Sequence, residues 1–200
     1  MSTIRNVRSD DRHAVYEICL LTADAGDDGT ELYSDRAMPG HVWAGPYVDL
    51  APEHGFVLTD DGGDVVGYIL GAVDSRAFEA RLERNWWPEL RRRHPEPGVG
   101  ERPGDRVVTY LIHHPPAADA SVVDAYPSHL HIDLLPVAQG RGHGRRLVDT
   151  LTTSLRDAGS PGVHLGVSQR NTRAIAFYRA LGFEALVDDE RHLVFGMRLG

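Results

Sequence analysis

The chain contains no lysine: all 21 of its basic residues are arginine. A Walker-type phosphate loop, a protein-kinase site and a pyridoxal enzyme each depend on a lysine side chain, so no glycine-rich segment here can serve those chemistries. Cysteine is nearly absent as well. The single Cys19 permits no internal disulfide and fits a reducing compartment. It follows Val15 and Ile18 in an apolar helical pattern and reads as a buried, inert thiol. No run of about 18 apolar residues occurs, and the polar segment Met1–Arg12 has no apolar leader core. These absences lead us to expect a soluble cytoplasmic protein with no membrane partner. Acid outweighs base: 29 Asp and Glu against 21 Arg give a net charge of −8. That argues against nucleic acid and favours cationic partners.

What is present suffices for one domain, since 200 residues with 42% hydrophobic content can fill a core. Thr3–Val7 alternates like a strand, and Asp10 or Asp11 can cap a helix running to about Leu21. Residues 24–33 read as loop, and 36–47 as a weak helix with an aromatic-rich turn. Asp60–Asp64 joins Gly55–Thr59 to Val65–Val73 in a hairpin. Ser75–Arg93 places Phe78, Leu82 and Trp86 at helical spacing, with a break at Pro88. Residues 94–105 are expected as loop, Val107–His113 as a strand and Pro115–Pro127 as irregular. His129–Leu135 alternates as a strand up to Pro136. Arg145–Ala158 and Asn171–Leu181 are amphipathic helices ended by glycine, with strand Val163–Val167 between them. Glu184–Val187 and Leu193–Leu199 close the chain as a hairpin. The order implies a mixed α/β sheet covered by helices.

The chemistry concentrates in His129–Gly144, followed by Arg145 and Arg146. A strand runs into Gly140, Gly142 and Gly144, and those open a helix. Glycines let backbone N–H groups approach a ligand, and a helix N-terminus adds free donors and partial positive charge. Arg141, Arg145 and Arg146 add charge-assisted contacts, so the segment has the makings of a pyrophosphate cradle. The spacing departs from the dinucleotide fingerprint G-x-G-x-x-G. His129, His131 and Asp133 share one strand face by period two. His113 and His114 with His129 and His131 match no zinc-ligand spacing, and no cysteine assists, so no metal is expected.

Gln139-Gly-Arg-Gly-His-Gly144 resembles the Q/R-x-x-G-x-G/A signature of the GNAT acetyltransferase superfamily. Asn171-Thr-Arg-Ala-Ile-Ala-Phe-Tyr178-Arg-Ala-Leu-Gly-Phe183 looks like that superfamily's N-x-x-A-x-x-x-Y-x-x-x-G-F motif. Segments Asp27–Tyr33, Gly45–Leu58, Gly67–Gly71 and His131–Pro136 resemble more closely the acetyltransferase-like domain of O-GlcNAc hydrolases, in the form of its stand-alone bacterial relatives. The resemblance implies a single GNAT domain over 1–200, with helices on both sheet faces, a splayed strand at the cofactor site and a family-specific insertion at about 75–127. It implies acetyl-CoA as donor and direct transfer to a primary amine, small or a protein lysine. The alternative is an acetyl-CoA-binding module with little catalysis.

The resemblance also distributes roles. Tyr178 matches the general acid that protonates the leaving thiolate. Asp133, with His131 second, is the candidate base or amine anchor. Backbone groups of Leu134, Leu135 and Val137 would hold the acetyl carbonyl at the splay. Gln139, Gly140, Arg141, Gly142, His143, Gly144 and Arg145 would hold the pyrophosphate, Asn171 the pantetheine arm while also able to cap its own helix, and Phe177 is a further candidate cofactor contact. Asp28, Trp43 and Tyr47 are candidate acceptor contacts, although a local Asx-turn accounts equally well for Asp28. A second copy of the chain is a candidate partner, because homodimers are common in the superfamily.

Overall fold

The computed structural model describes residues 2–96, 102–190 and 192–200. In chain order it contains β1 (Thr3–Asn6), α1 (Arg12–Leu20), α2 (Met38–Trp43), α3 (Gly45–Leu50), β2 (Gly55–Thr59) and β3 (Val65–Ala72). Helices α4 (Ser75–Asn85), α5 (Trp87–Arg93), α6 (Pro103–His113) and α7 (Ala120–Val123) follow. The remainder is β4 (Ser128–Leu134), α8 (His143–Asp157), β5 (Gly162–Ser168), α9 (Thr172–Leu181), β6 (Glu184–Asp188) and β7 (His192–Arg198). The strands form one sheet in the order β1-β2-β3-β4-β5-β7-β6, antiparallel everywhere except between β4 and β5.

Alternation along the strands divides the core between two faces. Val57, Tyr68 and Leu70 face the layer built by α1 to α6, where Ile18, Leu20 and Ile112 are fully or almost fully buried. Leu58, Ile69 and Leu130 point the other way, onto Leu147, Leu151 and Leu155 of α8. The break expected at Pro88 occurs, with Pro88 in the first turn of α5. No helix among the described residues is long and apolar enough to cross a membrane.

Four expectations need correction. Val107–His113 is not a strand but most of α6. Val108, Thr109 and Ile112 are buried while Val107 and Tyr110 lie 54% and 58% exposed, a helical spacing that the β-branched run conceals. In the expected loop 94–105, residues 97–101 lie outside the described set, and Pro103–Asp105 instead open α6, where proline at N1 is at home. Within 115–127, Asp119 caps the single turn α7 through Ser121 N–H. At α1, Asp11 occupies the N-cap position without capping. Its carboxylate pairs with Arg5 at 2.6 and 2.7 Å and accepts the Arg8 N–H, and Arg5 holds it below the ordinary carboxylate range.

Candidate active site

Strand β4 pairs with β3 over six residues but with β5 only at Ser128 and His129. Beyond His129 the two parallel strands part. Leu135 N–H donates to Val66 O, so the amides of residues 131 and 133 also face β3, while those of Ile132 and Leu134 face the gap. The Leu134 carbonyl accepts Gln139 Nε2 at 2.8 Å, which anchors the following loop to the strand end. The splay therefore presents backbone donors to an open space between strands.

The glycine loop closes one end of this space. Gly140 and Gly142 have φ of +72° and +77°, values that L side chains rarely adopt, and nothing lies within 4 Å of where a Cβ would stand. Gly142 is the N-cap of the 15-residue α8, so the first turn of that helix points free N–H groups outward. Gly144 is glycine for a different reason, since a Cβ there would sit 3.0 Å from the Phe177 ring. The result is a cleft of about 470 Å³. Ile132, Asp133 and Leu134 line it from β4; Gln139, Gly140, Gly142, Gly144 and Arg145 from the loop and α8; Asn171, Phe177 and Tyr178 from α9. Asn171 Oδ1 also caps its own helix through Ala174 N–H.

Burial sets the chemistry of the two central groups. Asp133 is pushed up to about 7 by desolvation, against the smaller opposing pull of the Tyr68 and Thr22 hydroxyls. Tyr68 donates to Asp133 Oδ2 at 2.5 Å from the facing register position on β3. Tyr178 packs among Phe177, Phe183 and Phe195, and its phenol is raised first by desolvation and then by the Asp133 charge. Sequence reasoning did not find Tyr68 or Thr22, because only strand register and the end of α1 bring them to Asp133.

His131 lies on the same face of β4 but lines a second cavity, of about 720 Å³, with Trp43, Tyr47, Glu79, His129 and His164. Desolvation lowers His131 to about 4, so its ring is neutral. The tautomer of His129 follows from its partners. The Ser75 hydroxyl donates to Pro127 O, so it accepts from His129 Nδ1–H at 2.7 Å, which leaves Nε2 to accept from Tyr47 OH at 2.8 Å. His129 is thus a fixed neutral bracket for Tyr47, with its own basicity lowered by burial.

Some expected contacts stand apart from both cavities. The Leu135 amide is taken by Val66, and Val137 is 61% exposed. Arg141 is exposed, and His143 accepts from Arg146 through Nδ1. Asp28 Oδ1 accepts from Thr30 N–H and Oγ1–H of its own loop.

Comparison with known proteins aligns with this geometry. The acetyltransferase (GNAT) family profile matches residues 21–183. Protein O-GlcNAcase of Rattus norvegicus is 26% identical over 182 residues, which are 90% of this chain and 20% of that protein. Mycothiol acetyltransferase of Thermomonospora curvata is 34% identical over 123 residues, 56% of this chain and 38% of that protein. The chain thus spans about a fifth of the O-GlcNAcase it matches. The crystal structure of SsHAT superposes with a TM-score of 0.93 at 41% identity, covering 100% of this chain and 98% of that one. The yncA structure from Salmonella typhimurium, solved with its cofactor acetyl-CoA, shares the fold, with a TM-score of 0.57 at 16% identity over 100% of this chain and 95% of that one.

Proposed function

The chain belongs to the acetyltransferase (GNAT) family, and from that premise we propose that it moves an acetyl group from acetyl-CoA directly to a primary amine, on a small molecule or a protein lysine. One observation carries the reading. A single cleft joins the glycine cradle at the N-terminus of α8 to the splayed β4 donors, Asp133 and Tyr178. The cradle fits a pyrophosphate: two left-handed glycines leave open the space that Cβ atoms would fill, and α8 supplies N–H donors there. When bound, acetyl-CoA supplies an activated thioester.

The rest is the work of this chain's residues. Gly140, Gly142 and the first amides of α8 hold the pyrophosphate, with Arg145 at the rim and Asn171 and Phe177 along the arm. The Ile132 and Leu134 N–H groups donate to the acetyl carbonyl oxygen and stabilise the charge it gains in the transition state. An alkylammonium with a reference pKa near 10.4 costs about 4–5 kcal/mol to deprotonate at pH 7. Asp133, poised at about 7 by burial, accepts that proton, directly or through an intervening water. His131, lowered to about 4, is the weaker base and serves the acceptor cavity. Tyr178, raised by burial, keeps its proton and donates it to the departing sulfur. Trp43 and Tyr47 form the aromatic wall against which the acceptor lies.

Calorimetry with acetyl-CoA tests the donor site. Saturable heat with the wild type and none with folded Gly142→Glu is expected, and no heat with the wild type removes the assignment. A panel of amines, read by release of free CoA thiol, then identifies the acceptor.

A further inference from the structure

Away from the cleft, three side chains from distant parts of the sequence converge beside α1. Asp35 precedes α2, His41 lies within it and His94 follows α5. One ligand-capable atom from each lies within 4.8 Å of the other two. Two of those rings carry an unexplained deficit: Nε2 of His41 and Nε2 of His94 are both buried and have no hydrogen-bond partner among the described residues. His41 is only 6% exposed, so its ring nitrogen has little route to bulk water. A buried, unpaired imidazole nitrogen is costly, and two of them on rings clustered with one carboxylate ask for a shared occupant.

We propose that Asp35, His41 and His94 form a binding site for a divalent transition-metal ion, zinc above all, with a fourth position open to water. The donor set is two imidazoles and one carboxylate, a combination zinc accepts at about 2.0–2.2 Å per ligand. The other atoms of these groups are already placed for it. His41 Nδ1 lies 3.2 Å from Tyr16 OH, an oxygen that also accepts from Arg12 at 2.8 Å, so that ring nitrogen is tied to α1 and Nε2 is the one left without a partner among the described residues. Asp35 Oδ1 accepts Ala37 N–H at 2.9 Å, so the carboxylate is held while Oδ2 remains. The backbone is tight as well. A Cβ on Gly40 would stand 2.3 Å from the Tyr16 ring, so α2 lies directly on α1, and Trp86 Nε1 donates to His41 O at 2.9 Å.

The neighbouring charges are mixed. Arg12 and Arg93 place positive field on His41, and Arg12 is itself paired with Asp49. Asp35 supplies the compensating charge. Spacings of six residues between Asp35 and His41, and of more than fifty from there to His94, match no short zinc motif, which is why the pattern is invisible in the sequence. An ion here staples the α4–α5 pair to α2, one residue upstream of the helix that carries Tyr47.

The test uses the full, tag-free chain, stripped with chelator and titrated with zinc chloride. Calorimetry and metal analysis after gel filtration should give one zinc per chain. Affinity should fall at least tenfold in Asp35→Asn, an exposed position where folding is not at stake, and in His94→Gln. Imidazole nitrogen NMR should show the two Nε2 signals of His41 and His94 move together on zinc addition, with a higher Tm for the loaded protein. Binding that survives both substitutions would assign the metal to surface histidines such as His114 and overturn the site. No binding would also overturn it, and an ordered water would then satisfy the two rings.

Discussion

Removing the Tyr68 hydroxyl isolates what holds Asp133 near neutrality. Tyr68 is fully buried and donates at 2.5 Å to Asp133 Oδ2, while desolvation pushes the same carboxyl up to about 7. The hydroxyl stabilises the ionised carboxylate, so Tyr68→Phe must raise Asp133 further. A hydrogen bond to a charged group contributes about 1.5–3 kcal/mol, and one pKa step corresponds to about 1.4 kcal/mol, so a rise of roughly one to two steps is expected. Carboxyl-carbon NMR of protein labelled at Asp Cγ reads this with no need of an acceptor substrate. Asp133→Asn assigns the signal by deleting it. In the wild type the assigned carbon should titrate with a midpoint near 7, and in Tyr68→Phe near 8 to 9. Once an acceptor is known, the acid limb of kcat should move by the same amount. A midpoint near 4 in the wild type, or one unmoved by Tyr68→Phe, refutes both the burial argument and the assignment of Asp133 as base.

Tyr178→Phe should leave acetyl-CoA affinity within about threefold of wild type, while kcat on a confirmed acceptor falls by about 10²–10⁴, the range for a lost general acid. Unchanged turnover would strip Tyr178 of that role. Asp105 is 4% exposed, and both of its oxygens lie 3.0 Å from Ser34 N, tying α6 to the loop ahead of α2. Asp105→Ala leaves that amide unpaired at a cost of about 1–3 kcal/mol, a Tm loss of roughly 2–10 °C by calorimetry, and Asp105→Asn should recover part of it. Folding stability should decline as pH falls from about 6.5 towards 4. His41 and His131 are lowered to about 4, and His129 and His164 are also lowered, so the unfolded chain takes up these protons first. His41 and His131, lowered to about 4, each account for a loss on the order of 2 kcal/mol by pH 5, and His129 and His164 add to it in the same direction. Asp133 acts in the opposite sense, since its raised value favours the folded state as pH falls from 7 to 4, but it is one group against four. Denaturant melts at pH 7 and 5 decide the sign.

The elements most legible in the sequence were those whose local signals agree. In α8, Leu147, Leu151 and Leu155 share one buried face and glycines mark both ends, so periodicity and caps point the same way. Asn171 behaves likewise at α9, where its side chain caps the helix. Helix α6 misled because Val107, Val108, Tyr110 and Ile112 have strand propensities. Only packing reveals that, of these four, Val108 and Ile112 go inward beside Thr109, with Asp105 anchored to Ser34. Register was equally unreadable. Period two puts His129, His131 and Asp133 on one face. It cannot say that Tyr68 stands opposite Asp133, or that His131 opens to a different cavity.

The absence of lysine gains its sharpest consequence inside the cleft. Among the described residues, every cationic side chain on its lining is an arginine, Arg145 or Arg173, a residue type whose guanidinium carries a fixed positive charge. The lining holds no histidine among the described residues, and Tyr178 is raised above its ordinary value. That leaves Asp133, among the described residues, as the one lining group able to change charge near pH 7. A cleft built with lysine or histidine at the pyrophosphate would mix their titration with that of the base. Here the pH dependence of donor binding and that of turnover should separate. Acetyl-CoA affinity should vary little between pH 6 and 8, because the groups that hold the pyrophosphate do not titrate there, while kcat follows one ionisation. A steep change of acetyl-CoA affinity over that interval in the Asp133→Asn protein would mean that a titrating group outside the lining shares in holding the phosphates.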